Sequence, residues 1–343
     1  MKAIIKATED AGSLRVVDMP VPRPGEGEVL VQIKATSICY SDVSVLTNKY
    51  VGRKPVPLPM IMGHEGAGVI AEVGAGVAGR SVGERVVVEP IIGCGHCHAC
   101  QIGSKNLCKG WEHIGLTCHG TFAEYIALPA TQVHPIPDHL GFAEAALTEP
   151  LGLVVRSLEQ SKPMVGETVA IIGPGALGLM HLMAYKAAGA SKVIMVGLDC
   201  DGDRLELARE LGADRIVNLS REEGRSTILD ATDGRGADIV VETANSPKAT
   251  QLTFDLTAPR GRVVLFGLYP EAVFSPVNML RNAVTVYGDV GAVSGQFVRA
   301  INWIASGKVD VGRLITNRFP LHEGLQAFEC SKAGKAMKIV FET

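Results

Sequence analysis

The run Thr168-Val-Ala-Ile-Ile-Gly-Pro-Gly-Ala-Leu-Gly178 decides the fold. Five apolar or β-branched residues pass directly into G-x-G-x-x-G, and a helical stretch continues to Ala188. Between a strand and a helix, this pattern signals a dinucleotide site. Glycine lets the backbone approach a pyrophosphate, and the helix N-terminus offers unpaired N–H groups at the positive end of its dipole. Gly173, Pro174, Gly175, Ala176, Leu177 and Gly178 are therefore candidate cofactor-binding residues; a turn packed for its own sake is the competing use. Along the helix Leu177, Met180, Ala184 and Ala187 keep helical spacing and read as core.

Working outward, apolar strands alternate with helical segments, the pattern of a parallel sheet covered on both faces. Six strands are expected: Thr168–Ile172, Val193–Val196, Arg215–Val217, Asp238–Val241, Arg262–Phe266 and Val284–Tyr287. Six suit a complete doubly wound dinucleotide-binding sheet, placed at 152–290. Residues 1–151 read differently, as short β-branched runs broken by Gly and Pro; Glu28–Lys34, Gly68–Val73 and Arg85–Glu89 are the clearest. That is a β-barrel-like domain. In 291–343 a helix is expected at about Ser294–Ser306 and a final strand at Met337–Phe341, with no crossover partner nearby, so this tail is assigned back to the β domain. The fold class is α/β.

At 343 residues the chain is long enough for two domains. Against 36 acidic residues, 33 basic ones give a net charge of −3, which advertises neither nucleic acid nor an anionic membrane as partner. A small molecule is expected instead. Gly, Pro or a charge interrupts every apolar stretch before the roughly 18 residues a membrane span needs. The opening Met1-Lys-Ala-Ile-Ile-Lys6 lacks a signal peptide's apolar block, so a cytoplasmic address is expected.

Four of the eight cysteines, Cys94, Cys97, Cys100 and Cys108, crowd into fifteen residues. Four soft ligands on one loop suit a closed tetrahedral Zn²⁺ site, which has no open position and is structural. A redox Cys-x2-Cys pair or an iron–sulfur cluster competes with zinc. His96 and His98 between them read as solvent-facing. A second group is scattered: Cys39 with Ser41 and Asp42, Gly63-His64-Glu65, and Glu149-Pro150. Each alone is as compatible with core or loop roles. Together they offer a sulfur, an imidazole and two carboxylates, a set able to hold zinc with one position open.

The acid that takes the adenosine ribose is expected at the end of the second strand, which runs into Gly197-Leu-Asp-Cys-Asp201. Either Asp199 does this work and favours NAD, or Gly197 leaves room for the 2′-phosphate of NADP with Arg204 as counter-charge. Asp199, Asp201 and Asp203 tilt the turn towards NAD.

In this order and spacing, Ser37-Ile-Cys-Tyr-Ser-Asp42, Gly63-His-Glu-Gly66, the Cys94–Cys108 lobe, Phe122-Ala-Glu-Tyr125, Glu149-Pro-Leu151 and the Gly173 turn cover essentially the whole chain. They resemble the zinc-dependent medium-chain dehydrogenase/reductases, above all the branch of sorbitol, polyol and threonine dehydrogenases. The resemblance implies a GroES-like catalytic domain, a Rossmann coenzyme domain and a homodimer or homotetramer. It implies catalytic-zinc ligands at Cys39 and His64, carboxylates at Glu65 and Glu149 that reach the ion directly or through water, and structural-zinc ligands at Cys94, Cys97, Cys100 and Cys108. It also implies that Ser41 takes the proton of the substrate alcohol, while Asp199 with Arg204 meets the ribose. Where the family often has a relay histidine this chain has Ser44, so the relay ends in Ser44, a water or the cofactor ribose. The implied reaction is hydride transfer between a secondary alcohol, such as a polyol, sugar or cyclitol, and NAD, or alternatively NADP. Amino-alcohols, simple aliphatic alcohols and a non-catalytic dinucleotide sensor are the alternatives. Tyr40, Trp111, His113, Phe122 and Tyr125 fall near the family's pocket, to line it or to pack.

Overall fold

The computed structural model describes every residue except Asp289 and Lys335. The described residues form two compact units, Met1–Gly152 with Gly291–Thr343, and Leu153–Val290.

In the first unit a seven-stranded sheet is built on Glu28–Ser37, which pairs antiparallel with Glu65–Val73, Tyr125–Pro129 and Lys338–Glu342. A smaller sheet joins Leu14–Asp18, Lys2–Lys6 and Met60–Ile61. Alternate residues of these strands face inward, and Val29, Val31, Ile33, Ile70, Val86 and Val88 fill one core cluster. The tail behaves differently from its sequence reading. The final strand does have a crossover partner: Ile315–Pro320 runs parallel to it, joined through the Gly324–Lys332 helix. Ile-Thr-Asn-Arg-Phe-Pro carries a polar residue at three of its six positions and alternates between half-buried and exposed, so its apolar signal is weak.

The second unit is a six-stranded, wholly parallel sheet in the order Arg215–Asn218, Lys192–Gly197, Thr168–Ile172, Ala237–Glu242, Thr257–Leu265 and Thr285–Gly288. All six expected strands are present with ends shifted by a few residues. The order reverses beside Thr168–Ile172, and in such sheets ligands bind outside the strand ends at that switch point. The Ala176–Ala187 helix that follows is buried on most sides, so its core is wider than a single stripe: Leu179, Leu182, Met183 and Tyr185 are inside with Met180 and Ala184. Ala187 is exposed and Leu177 half-buried, contrary to the expected core assignment.

Buried in this helix is His181. Its Nδ1–H donates to the Leu177 carbonyl at 2.8 Å and its Nε2 accepts from the Ser157 hydroxyl at 3.0 Å. Burial pushes its pKa down from 6.5 to about 4. Below pH 6.5 the unfolded chain therefore binds a proton that the folded one refuses, and stability is lost as pH falls from about 6.5 towards 4. At 1.36 kcal/mol per unit, the wild type should lose about 2 kcal/mol more than His181→Gln between pH 7 and pH 5. Denaturant unfolding at the two pH values measures this, and parallel losses would refute it.

Candidate active site and metal centres

Cys39 precedes the Tyr40–Leu46 helix, and its N–H donates to the Asp42 carboxylate at 2.9 Å, which fixes the turn that presents the sulfur. Gly63 lies at φ +87, where a Cβ would collide with the Phe122 ring; this tight turn delivers His64 and Glu65 at the start of the Glu65–Val73 strand. The Cys39 sulfur, a His64 ring nitrogen and a Glu65 carboxylate oxygen lie within 4.8 Å of one another. Ser41 joins them, its Oγ 3.4 Å from His64 Nε2.

The polar surroundings of this trio are almost wholly buried. Asp42, which the sequence reading quoted but gave no role, sits with Oδ1 3.5 Å from His64 Nδ1. Burial alone would push the imidazole pKa down, but the Asp42 carboxylate and the Cys39 sulfur hold it well above the ordinary value. Glu65 is gripped through Oε2 by Ser37 and by Lys338 from the C-terminal strand, and Lys338 also donates to the Ile38 carbonyl at 2.9 Å. Its other oxygen, Oε1, is buried with no hydrogen-bond partner among the described residues. Buried polar atoms are nearly always satisfied, so an oxygen left bare beside a thiol and an imidazole fits a cation. Glu149, in the first turn of the Thr148–Ser161 helix, is buried and faces the charges of His64, Glu65 and Lys338, but lies outside the close trio. Burial pushes its pKa up to about 7. Ser44 Oγ donates to the Tyr40 carbonyl at 3.1 Å, a bond within its own helix.

The four lobe cysteines also converge, with all sulfurs within 4.8 Å of one another, and His96 and His98 are exposed. Backbone N–H groups of His96 and Cys97 aimed at Cys94 lower its thiol to about 6, towards the thiolate that zinc requires. No fifth donor joins them among the described residues, so the donor set fits a closed zinc site. Lys105 ties the lobe to the barrel through buried Glu89 at 2.6 Å. Losing the lobe's metal should lower the melting temperature by more than about 10 °C, since structural zinc contributes several kcal/mol and each is worth 2–4 °C at this size. Scanning calorimetry of Cys100→Ser checks this, and an unchanged midpoint would refute it.

In the second unit the three motif glycines divide the work. Gly173 has φ +104 and a Cβ there would strike the Ala244 backbone, a Cβ on Gly178 would strike the Gly173 carbonyl, and Gly175 faces open space. The first makes the turn, the third seats the helix, and the second leaves the helix N-terminus open to a pyrophosphate. Asp199 lies just past the Lys192–Gly197 strand. Arg204 sits against Asp201 at 3.8 Å, whereas Asp199 Oδ1 accepts from Arg221 Nε at 2.6 Å and Asn218 at 2.8 Å. Arg221 thereby offsets part of the turn's negative charge. Strand pairing of Gly197 with Asn218 brings the two segments side by side. Of the five expected pocket residues, Phe122 packs in the core against Phe328 and Phe341, Tyr125 is half-buried in its strand, Tyr40 is exposed, and Trp111 and His113 are buried near His64.

A barrel unit carrying a Cys–His–Glu trio and a four-cysteine lobe, in one chain with a parallel-sheet unit bearing a glycine-rich turn, defines a zinc-binding, dinucleotide-dependent dehydrogenase. Residues 25–138 match the alcohol dehydrogenase GroES-like domain and residues 176–306 the zinc-binding dehydrogenase domain. The chain is 38% identical over 345 residues to L-threonine 3-dehydrogenase of Pyrococcus abyssi, covering 99% of this chain and 98% of that one. It is 35% identical to sorbitol dehydrogenase of Bacillus subtilis, with 96% and 93% covered. Among solved structures, a zinc-binding dehydrogenase from Sinorhizobium meliloti 1021 bound to NADP superposes with a TM-score of 0.93 at 29% identity, covering 100% of this chain and 99% of that one. The protein belongs to the zinc-dependent medium-chain dehydrogenase/reductase family. It is an NAD(P)-dependent oxidoreductase of alcohols, and the two GroES-like and Rossmann folds expected from the sequence are those observed.

Proposed function

We infer that the protein oxidises a secondary hydroxyl of a polyol, sugar or cyclitol to the ketone, with NAD as the favoured hydride acceptor. The observation that carries this reading is the convergence of Cys39, His64 and Glu65 around a buried carboxylate oxygen that no protein group satisfies. Bound between them, zinc supplies the Lewis acidity that brings the pKa of a coordinated hydroxyl towards neutrality, as it brings water from 15.7 to about 7. The chain's own residues do the rest. Asp42 orients His64, Ser41 receives the alcohol proton, and Lys338 with Ser37 fixes Glu65. With Ser44 engaged by the Tyr40 carbonyl, the proton leaves through water or the coenzyme ribose. Glu149 waits beside the trio as an alternative carboxylate.

Gly173 to Gly178 hold the pyrophosphate, and Asp199 meets the ribose diol. Arg221 beside Asp199 supplies a counter-charge for a 2′-phosphate, which keeps NADP as the second coenzyme. The similarity to the Pyrococcus threonine dehydrogenase favours a second substrate reading, an amino-alcohol. A pure sensor would have no use for the Cys39–His64–Glu65 trio. The protein assembles as a homodimer or homotetramer and works in the cytoplasm on this reading; among the described residues no helix is long and apolar enough to cross a membrane. A screen of alcohols and ketones, followed at the reduced nicotinamide absorbance with each coenzyme in turn, tests it. Turnover of secondary polyols with NAD is expected, and silence across the panel would sink the reading.

A further inference from the structure

Beside the Cys39–His64–Glu65 trio stands a short row of rings. His113 meets His64 edge-on with centroids 5.3 Å apart, Trp111 lies 5.6 Å from His113, and the Arg53 guanidinium sits 5.7 Å from the Trp111 ring centre. His113 is only 8% exposed, and its position is fixed at both ends. Its backbone N–H donates to Thr117 Oγ1 at 2.8 Å, and its Nδ1 lies 2.8 Å from the Ile114 carbonyl. A carbonyl can only accept, so Nδ1 carries the hydrogen.

With the ring hydrogen held on Nδ1 by the Ile114 carbonyl, Nε2 presents its lone pair. Among the described residues no group bonds to that nitrogen. His181 makes the contrast plain: as a core histidine it has both ring nitrogens satisfied within the protein. His113 is held like a core residue and leaves one acceptor open against a metal-site ligand.

We propose that His113 is a specificity-determining residue whose Nε2 accepts a hydrogen bond from a hydroxyl on the carbon adjacent to the one oxidised, so that the enzyme selects vicinal diols and polyols over simple secondary alcohols. This rests on the secondary-alcohol reading above. His113 stands against His64, so a hydroxyl delivered to the trio brings its vicinal neighbour within reach of a ring that flanks the site. A monoalcohol places a methyl or methylene there and leaves a desolvated nitrogen unpaired, the arrangement from which sites built for a polar group draw their discrimination.

The experiment compares wild type, His113→Phe and His113→Gln on matched pairs, 1,2-propanediol with 2-propanol and 2,3-butanediol with 2-butanol, alongside L-threonine, with zinc content measured in each protein. Phenylalanine keeps a flat ring against His64 and removes the acceptor; glutamine restores one. The expected result is a fall in kcat/KM of roughly 10- to 100-fold for the diols with His113→Phe, less than about threefold for the monoalcohols, partial recovery with His113→Gln and unchanged zinc. Equal losses on diol and monoalcohol, a loss of zinc, no loss at all, or a loss confined to threonine would each overturn the proposal while leaving the alcohol reading standing. A wild type inert towards all these alcohols would overturn both.

Discussion

With His64 replaced by alanine, turnover of any alcohol should fall by at least about 10⁴-fold, while binding of the reduced coenzyme, followed by its fluorescence, stays within about twofold. The imidazole is one of three groups that converge at the site, and Asp42 has no other partner through Oδ1. Removing the ring takes away a nitrogen ligand together with the imidazole that faces the buried Asp42 Oδ1, while Oδ2 keeps the Cys39 N–H. The glycine-rich turn belongs to a different unit with its own core, so the coenzyme site keeps its shape. Metal analysis should show the zinc content falling from about two per chain to about one, because the four-cysteine lobe contains none of these side chains. Cys39→Ser should behave in the same way. Full activity in either variant would refute the assignment of the trio, and loss of coenzyme binding would show that the effect is on folding.

The second large effect is expected at Lys338. Replacing it with methionine keeps much of its volume but leaves Glu65 buried beside Ser37 without its ammonium partner, a situation that in the metal-free protein costs about 3–5 kcal/mol when one partner of a buried pair is removed. Lys338 is itself held above its ordinary pKa: burial would lower it, and Glu65, Cys39 and Glu149 together more than compensate. Chemical denaturation should therefore show a large loss for Lys338→Met and substantial recovery in the double variant with Glu65→Gln, where no uncompensated charge remains. If the double variant is less stable than the single one, the charge balance is not what holds this corner together. Zinc release to a chelator should accelerate in both, since each removes part of what fixes Glu65.

Much of this was legible in the sequence, and the reasons divide cleanly. The six parallel strands could be read because strands buried on both faces are continuous apolar runs, as in Thr168-Val-Ala-Ile-Ile172, every residue of which is buried. The lobe cysteines could be read because their spacing is local. Lys338, by contrast, reaches Glu65 across 273 residues of chain, and a lysine before an apolar strand has no feature that marks it as buried. Arg221, which lies beside Asp199, went unread for a related reason. Its approach to Asp199 is set by the pairing of neighbouring strands, a register that no motif encodes. His113 could be named as a pocket candidate from its place in the chain, but the Ile114 carbonyl that fixes its ring could not be read there.

The ammonium that balances Glu65 comes from the strand at Lys338–Glu342, while the sulfur and imidazole come from Cys39 and His64. During synthesis the ligands emerge from the ribosome hundreds of codons before the residue that neutralises their neighbour. Until the last strand pairs with Glu28–Ser37, Glu65 lacks the ammonium that balances it. Reading frames that stop short of that strand, or fusions that pull it away, would yield a chain that has every zinc ligand and still handles zinc poorly.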